Sequence, residues 1–271
     1  MIRLIVSDLD GTLLNDKKEV SERTREYLKS LTAKGIRFAA ASGRGREDVS
    51  LYFQDFPCAM VTDNGASAYT EEGEKLFFET LFCKETMEVM KQIDPIAYMH
   101  YFVVGKNHVY VKETETENFL EEAQYYFRSP IQKTRDWEKV FRDDEIIKFS
   151  INTGWDGRNE ERGIQQIREL GVEEHFSPVL SGEGWLELMK AGVSKGNALR
   201  RLAGHYGIAM EEMLVFGDYL NDLNMLSVTP NSYAMCNGHE EVKKHCRYTT
   251  TYSNNEDGVV RELEKIFGEI E

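Results

Sequence analysis

The chain of 271 residues predicts an α/β fold: a doubly wound parallel sheet from residues 1–82 and 183–271, interrupted by an inserted α+β domain over residues 83–182. Three observations carry this expectation. Apolar runs alternate with helical segments near both ends of the chain, the middle has a different texture, and acidic or hydroxyl residues stand where the apolar runs stop. Strand, helix, strand in succession is the pattern of a parallel sheet with crossover helices, and such sheets bind ligands outside the carboxyl ends of their strands.

The first apolar run, Ile2–Val6, ends in "SDLDGT". Ser21 is placed to cap a helix over "ERTREYLKSLTAK", with Leu28 and Leu31 on one face and Gly35 as its stop. "IRFAAASGR" reads as a second buried strand ending at Ser42, and a helix follows over 47–54. "CAMVTDNGA" reads as a third strand, ending at Asn64–Gly65, whose simplest reading is a hairpin turn before "SAYTEEGEKLFFE". In the middle, "KETMEVMKQI" is helical, "YFVVGKNHVYV" is a hairpin turning at 105–107, and a helix over 116–127, the strand "EIIKFSINT" and the helix "ERGIQQIREL" follow. The α/β pattern is predicted to resume near "GWLELMK". After it come the helix "SKGNALRRLAGHYG", the strand "EMLVFGD", a helix from Leu220, the strand "SYAMC" and a last helix over 258–270.

Composition narrows the function. A net charge of −14 and the lack of a long basic run argue against nucleic acid or an anionic membrane surface as partner, while leaving room for a small anionic substrate. The four cysteines are scattered without a C-x-x-C pair and read as reduced thiols, and the six histidines form no H-E-x-x-H pattern. No apolar stretch reaches the length of a membrane helix, and no leader-like segment opens the chain, so a cytoplasmic, soluble monomer or homodimer is expected.

Asp8 and Asp10 stand one residue apart where the first run ends. On a strand rising roughly 3.3 Å per residue they would share a face about 6.6 Å apart. At an effective dielectric near 20 their repulsion is on the order of 2.5 kcal/mol, so a compensating positive charge is expected nearby.

The segments "DLDGT", "ASGR", "VSKGNAL" and "GDYLND", in this order, resemble the four motifs of the haloacid dehalogenase superfamily. Their spacing resembles the Cof-like phosphatases, in which a large α/β cap of the C2 type lies between the second and third motifs. The resemblance spans nearly the whole chain. It implies a magnesium-dependent phosphatase that hydrolyses a small phosphorylated metabolite, such as a sugar phosphate, through an aspartyl-phosphate.

The resemblance also assigns residues. Asp8 would be the nucleophile and Asp10 the general acid and base, with Asp8, Asp10 (through its backbone carbonyl) and Asp218 as metal ligands. Leu9, Ser42, Gly43, Lys195 and Asn221 would hold the phosphate, and Asp222 would orient the ligands or Lys195 from behind. Gly11 would turn the chain and Thr12 support the loop. Arg44 either aids phosphate binding or is a solvent-exposed loop arginine. Asn64–Gly65 borders the substrate pocket in the family, and Tyr219 stands where a smaller or more polar residue is usual; outside the motifs, "SNNEDGV" reads most simply as a cap for the last helix, with Asn254 as the alternative of a supporting group near the site. Magnesium would supply the missing positive charge, and a closing cap would exclude water. Two other functions fit the same motifs: a phosphomutase, and a non-catalytic phosphometabolite-binding protein, against which the full set Asp8, Asp10, Lys195 and Asp218 argues.

Overall fold

Alternate residues of the first strand, Leu4–Ser7, belong to two different hydrophobic clusters, as a sheet covered on both faces requires. The structure, a computed structural model, describes residues 1–126, 130–153, 160–182 and 184–268. The chain divides into two compact units, Met1–Phe78 with Ser194–Glu271, and Glu79–Val193.

In chain order, β1 (Leu4–Ser7), α1 (Glu22–Ala33), β2 (Arg37–Ala41), α2 (Arg46–Ser50), β3 (Ala59–Thr62), β4 (Ser67–Tyr69) and β5 (Lys75–Phe78) open the first unit. The second unit contains α3 (Cys83–Ile93), β6 (His100–Gly105), β7 (Val109–Lys112), α4 (Glu117–Tyr126), β8 (Ile131–Thr134), α5 (Trp137–Asp143), β9 (Ile146–Asn152), α6 (Glu160–Glu169), β10 (Phe176–Gly182) and β11 (Trp185–Lys190). The chain then returns to the first unit with α7 (Lys195–Tyr206), β12 (Met213–Gly217), α8 (Leu223–Leu226), β13 (Ser232–Ala234), α9 (Glu240–His245), β14 (Tyr248–Thr249) and α10 (Gly258–Phe267). The helix ends read at 127 and 269–270 lie outside the described residues.

The first unit is built on a sheet of order β14-β13-β12-β1-β2-β3-β4-β5, parallel from β14 to β3 and antiparallel at β4 and β5. Ile5, Phe38 and Leu214 face one core with Leu28 and Leu31 of α1 and Val260 and Leu263 of α10. Leu4, Ala39 and Val215 face the other with Leu199 and Leu202 of α7 and Met225 of α8. Ser21 caps α1, accepting the Thr24 N–H. β1 lies between β2 and β12, so the connections leave it in opposite directions and open a crevice at the carboxyl ends of these strands.

The second unit has a sheet of order β10-β11-β9-β6-β7-β8, antiparallel except for the β7–β8 pair. Tyr101, Val103, Phe149 and Leu188 pack with Val89 and Ile93 of α3 and Ile167 of α6, while Phe102, Val109 and Val111 turn to Phe119 of α4. No helix among the described residues is long and apolar enough to cross a membrane.

Three sequence expectations need correction. "GWLELMK" is β11, which pairs antiparallel with β9 and β10 in the second unit, so the chain re-enters the first unit only at Ser194. β1 stops at Ser7, so Asp8 and Asp10 lie on the loop beyond it and do not share a strand face. The helix read over 47–54 closes at Ser50.

Candidate active site

Asp8 follows β1, Asp218 follows β12 and Ser42 follows β2, which puts all three at the carboxyl ends of neighbouring strands. Lys195 opens α7 behind its N-cap Ser194, whose side chain accepts the Asn197 N–H. Its entry depends on Gly65, in the 3₁₀ turn Asp63–Gly65, where φ is +98° and a Cβ would stand 2.3 Å from the Ser194 carbonyl oxygen. Gly11, with φ of +81°, plays the same part for Asp218: a Cβ there would lie 2.4 Å from Asp218 Oδ2.

These approaches bring together three carboxylates and one ammonium. Lys195 Nζ donates to Asp8 Oδ1 at 2.6 Å and to Asp222 Oδ1 at 2.7 Å. Asp222, fully buried, accepts the N–H groups of Asp218 and Tyr219 on Oδ2 at 2.9 and 3.2 Å, and Thr12 Oγ1 donates to Asp218 Oδ1 at 2.8 Å. Burial and the charge of Asp222 push the Asp8 carboxyl well above its usual range against the pull of Lys195. Burial and Asp222 also push Asp218 up to about 7, against the Thr12 hydrogen bond. Burial opposes the charge on Lys195, but Asp222 and Asp8 outweigh it and raise the pKa of the ammonium.

The donor set fits a hard divalent cation. Oxygens of Asp8, Asp218 and Asp222 lie within 4.8 Å of one another, and three carboxylates face a single ammonium. Both Asp222 oxygens already accept hydrogen bonds, which leaves Asp8 and Asp218 as the side chains to hold an ion.

Asp10 is elsewhere. Its carboxylate takes Arg44 Nε on Oδ2 at 2.6 Å, and Arg44 Nη2 and Lys18 Nζ on Oδ1 at 2.7 and 2.8 Å. Burial works upward, but these hydrogen bonds and charges bring its pKa down to about 2. Its side chain is not part of the carboxylate cluster. The repulsion read from Asp8 and Asp10 is therefore compensated by three protein cations, Lys195 on one carboxylate and Arg44 with Lys18 on the other.

Leu9 is a core side chain, which leaves only its main chain for any phosphate. Ser42 is buried; its N–H donates to Val61 O and its Oγ accepts the Arg44 N–H. A Cβ on Gly43 would stand 3.1 Å from Asn64 Nδ2, and Asn221 Nδ2 donates to Asn64 Oδ1 at 3.2 Å, so Gly43, Asn64 and Asn221 form one group. Asn64–Gly65 lies in a hairpin turn, as the sequence predicts, joining antiparallel β3 and β4, and positive φ at Asp63, Asn64 and Gly65 shapes that turn around the buried Asn64. Asn254 Nδ2 donates to Leu14 O at 2.9 Å, and Asn237 donates to Gly11 O at 2.8 Å while accepting the Asn254 N–H. Tyr219 turns its ring edge-on to His239, 5.8 Å between centroids. Arg44 as partner of Asp10, Lys18 and Asn237 escape the sequence; the turn-forming "NDKKE" is the one local signal for Lys18.

A family model described as haloacid dehalogenase-like hydrolase matches residues 5–263. The chain belongs to this family. The haloacid dehalogenase-like hydrolases generally use a metal ion, in keeping with the carboxylate cluster. Among its relatives, the phosphatase YwpJ of Bacillus subtilis is 28% identical over 98% of this chain and 100% of its own. The 5-amino-6-(5-phospho-D-ribitylamino)uracil phosphatase YbjI of Escherichia coli is 28% identical over 98% of this chain and 96% of its own. The solved structure of a haloacid dehalogenase-like hydrolase from B. subtilis superimposes with a TM-score of 0.84 at 25% identity, over 98% of this chain and 100% of that one.

Proposed function

We propose that this hydrolase is a magnesium-dependent phosphatase that cleaves a phosphate monoester of a small sugar or polyol through a phosphorylated Asp8. The observation that carries the reading is the buried Lys195 ammonium shared by Asp8 and Asp222 beside Asp218, at the switch point of a parallel sheet. The unit Met1–Phe78 with Ser194–Glu271 is then the catalytic core, and Glu79–Val193 the inserted, substrate-selecting unit.

A phosphate ester resists a carboxylate nucleophile because both are negative, so catalysis lies in positioning and charge neutralisation. A bound magnesium ion, held by Asp8 and Asp218 with the Asp10 carbonyl, would supply positive charge to the phosphoryl oxygens. Lys195 holds Asp8 in place and adds its own charge at the start of α7. Asp8 attacks phosphorus, the ester bond to the leaving oxygen breaks, and Asp10 gives that oxygen a proton. In the ligand-free protein Asp10 is ionised, and an incoming phosphoryl dianion beside it raises its proton affinity. Water then attacks the phospho-Asp8, passing its proton to Asp10 and restoring both residues. The polyol-phosphate substrate in the name of the E. coli relative supports a phosphate on a sugar-like carbon chain.

The test is phosphate release from p-nitrophenyl phosphate and a panel of sugar and polyol phosphates, with magnesium or with EDTA. Magnesium-dependent turnover that Asp8→Asn abolishes is expected. Folded protein that releases no phosphate from any member, or an Asp8→Asn variant as active as the parent, would contradict the reading.

A further inference from the structure

Both oxygens of Asp10 are held by cations to which the chemistry above gives no part. Arg44 meets the carboxylate with a two-point fork, Nε on Oδ2 and Nη2 on Oδ1, and Lys18 Nζ adds a third bond on Oδ1. A planar guanidinium that binds two carboxylate oxygens fixes the plane and the rotamer of its partner, whereas one ammonium fixes little more than a distance. Lys18 reaches the site from a backbone conformation that L residues seldom adopt, with φ of +62°. Asn15 builds that turn: its Oδ1 accepts the N–H groups of Lys17 and Glu19, and its carbonyl accepts the Lys18 N–H. Strain of this kind persists where the surrounding structure enforces it, and at functional sites above all.

We propose that Arg44 is the positioning residue of Asp10: its fork sets the orientation from which Asp10 exchanges a proton with the leaving oxygen, with Lys18 as a lesser restraint. This rests on the phosphatase reading. In the step concerned, an Asp8 oxygen bonds to phosphorus, the ester P–O bond breaks with its electron pair remaining on the leaving oxygen, and the Asp10 carboxyl proton moves to that oxygen. An arginine that instead gripped the phosphate would matter equally for every ester, because every ester carries the same phosphoryl group.

The difference is measurable with two substrates. Nitrophenolate departs without a proton, while the alkoxide of a sugar phosphate needs one. kcat/KM would be compared for p-nitrophenyl phosphate and for the sugar phosphate that the parent protein hydrolyses fastest. Arg44→Gln is expected to lower the value for the sugar phosphate on the order of 100-fold more than for p-nitrophenyl phosphate, the scale of general acid catalysis. Arg44→Lys, which keeps the charge without the fork, should retain most of that loss. Lys18→Gly, which suits the backbone, should show a smaller loss with the same substrate bias. In an Asp10→Asn background, Arg44→Gln should cost little more. Equal losses on both esters, a gain on the sugar phosphate, full activity in Arg44→Lys, or a full additional loss in the Asp10→Asn background would each overturn the proposal. A parent protein that hydrolyses neither ester would instead overturn the phosphatase reading beneath it.

Discussion

Lys195 Nζ lies 2.6 Å from Asp8 Oδ1, although 187 positions separate the two residues in the chain, and the same ammonium donates to Asp222 at 2.7 Å. One buried charge thus joins the loop after the first strand to the loop after β12.

Removing that charge should cost both stability and activity. A buried ion pair that loses one partner leaves the other stranded, at about 3–5 kcal/mol. Lys195→Met, measured by urea unfolding in EDTA, is expected to lose stability on that scale. Turnover should fall on the order of 10²-fold or more, as for loss of one transition-state charge contact. Parent-like stability together with parent-like turnover would show that Lys195 is not the counter-charge of the cluster.

The carboxylates left over by Lys195 predict a pH dependence. A carboxyl whose folded pKa lies above its unfolded value holds more protons folded than unfolded. Its stabilising contribution is full below the unfolded value and is lost as pH rises through the folded one. For Asp218 that window runs from the ordinary carboxyl value of 3.8 to about 7, and Asp8 shifts in the same direction. In EDTA the urea midpoint should therefore fall as pH is raised from about 4 to about 8, by a few kcal/mol in stability. Magnesium should flatten the profile, and Asp218→Asn should reduce both the slope and the response to magnesium. A midpoint that rises over this range would contradict the sign.

Two glycines separate backbone strain from close packing. Gly35 has φ of +84° with nothing within 4 Å of an added Cβ, whereas Gly65 has φ of +98° with the Ser194 carbonyl 2.3 Å away. Gly35→Ala should lose about 1 kcal/mol through φ alone and keep its activity. Gly65→Ala should lose about 1–3 kcal/mol more and much of its turnover, because the clash displaces the start of α7 and with it Lys195. Matched stabilities and activities for the two variants would argue against this role for Gly65.

In the second unit, Lys148 of β9 and Glu187 of β11 form a buried pair at 2.7 Å. Lys148→Met alone is expected to destabilise by about 3–5 kcal/mol, and adding Glu187→Leu should recover much of it, since a well-packed apolar pair replaces an ionic one at little net cost. Additive losses in the double variant, read by urea unfolding of the full chain, would count against a direct coupling.

The legible parts of the molecule were those specified locally. The apolar run of β1, the Ser21 cap, the Leu28 and Leu31 stripe and the carboxylates at strand ends each depend on neighbours a few positions away. β11 misled because "LEL" has the alternation of any strand, and its membership is decided by its pairing with β9, Trp185–Met189 against Lys148–Asn152, and with β10. The expectation that Asp10 shares a face with Asp8 failed for the same reason: which way its side chain turns is decided by Arg44, 34 positions on, and by the left-handed turn at Lys18. Side-chain orientation on a loop is a tertiary property, and no residue adjacent to Asp10 encodes it.

The proposed mechanism turns on phosphorylation of Asp8. The most direct measurement is to mix the protein with magnesium and a hydrolysed sugar phosphate, quench in acid within a turnover, reduce the acyl phosphate with borohydride and sequence the peptides by mass spectrometry. Asp8 is expected to be converted to the reduced product, with the signal absent in EDTA or in Asp8→Asn. Turnover with label on another residue, or with none on Asp8 when phosphoryl transfer outpaces hydrolysis, would contradict it.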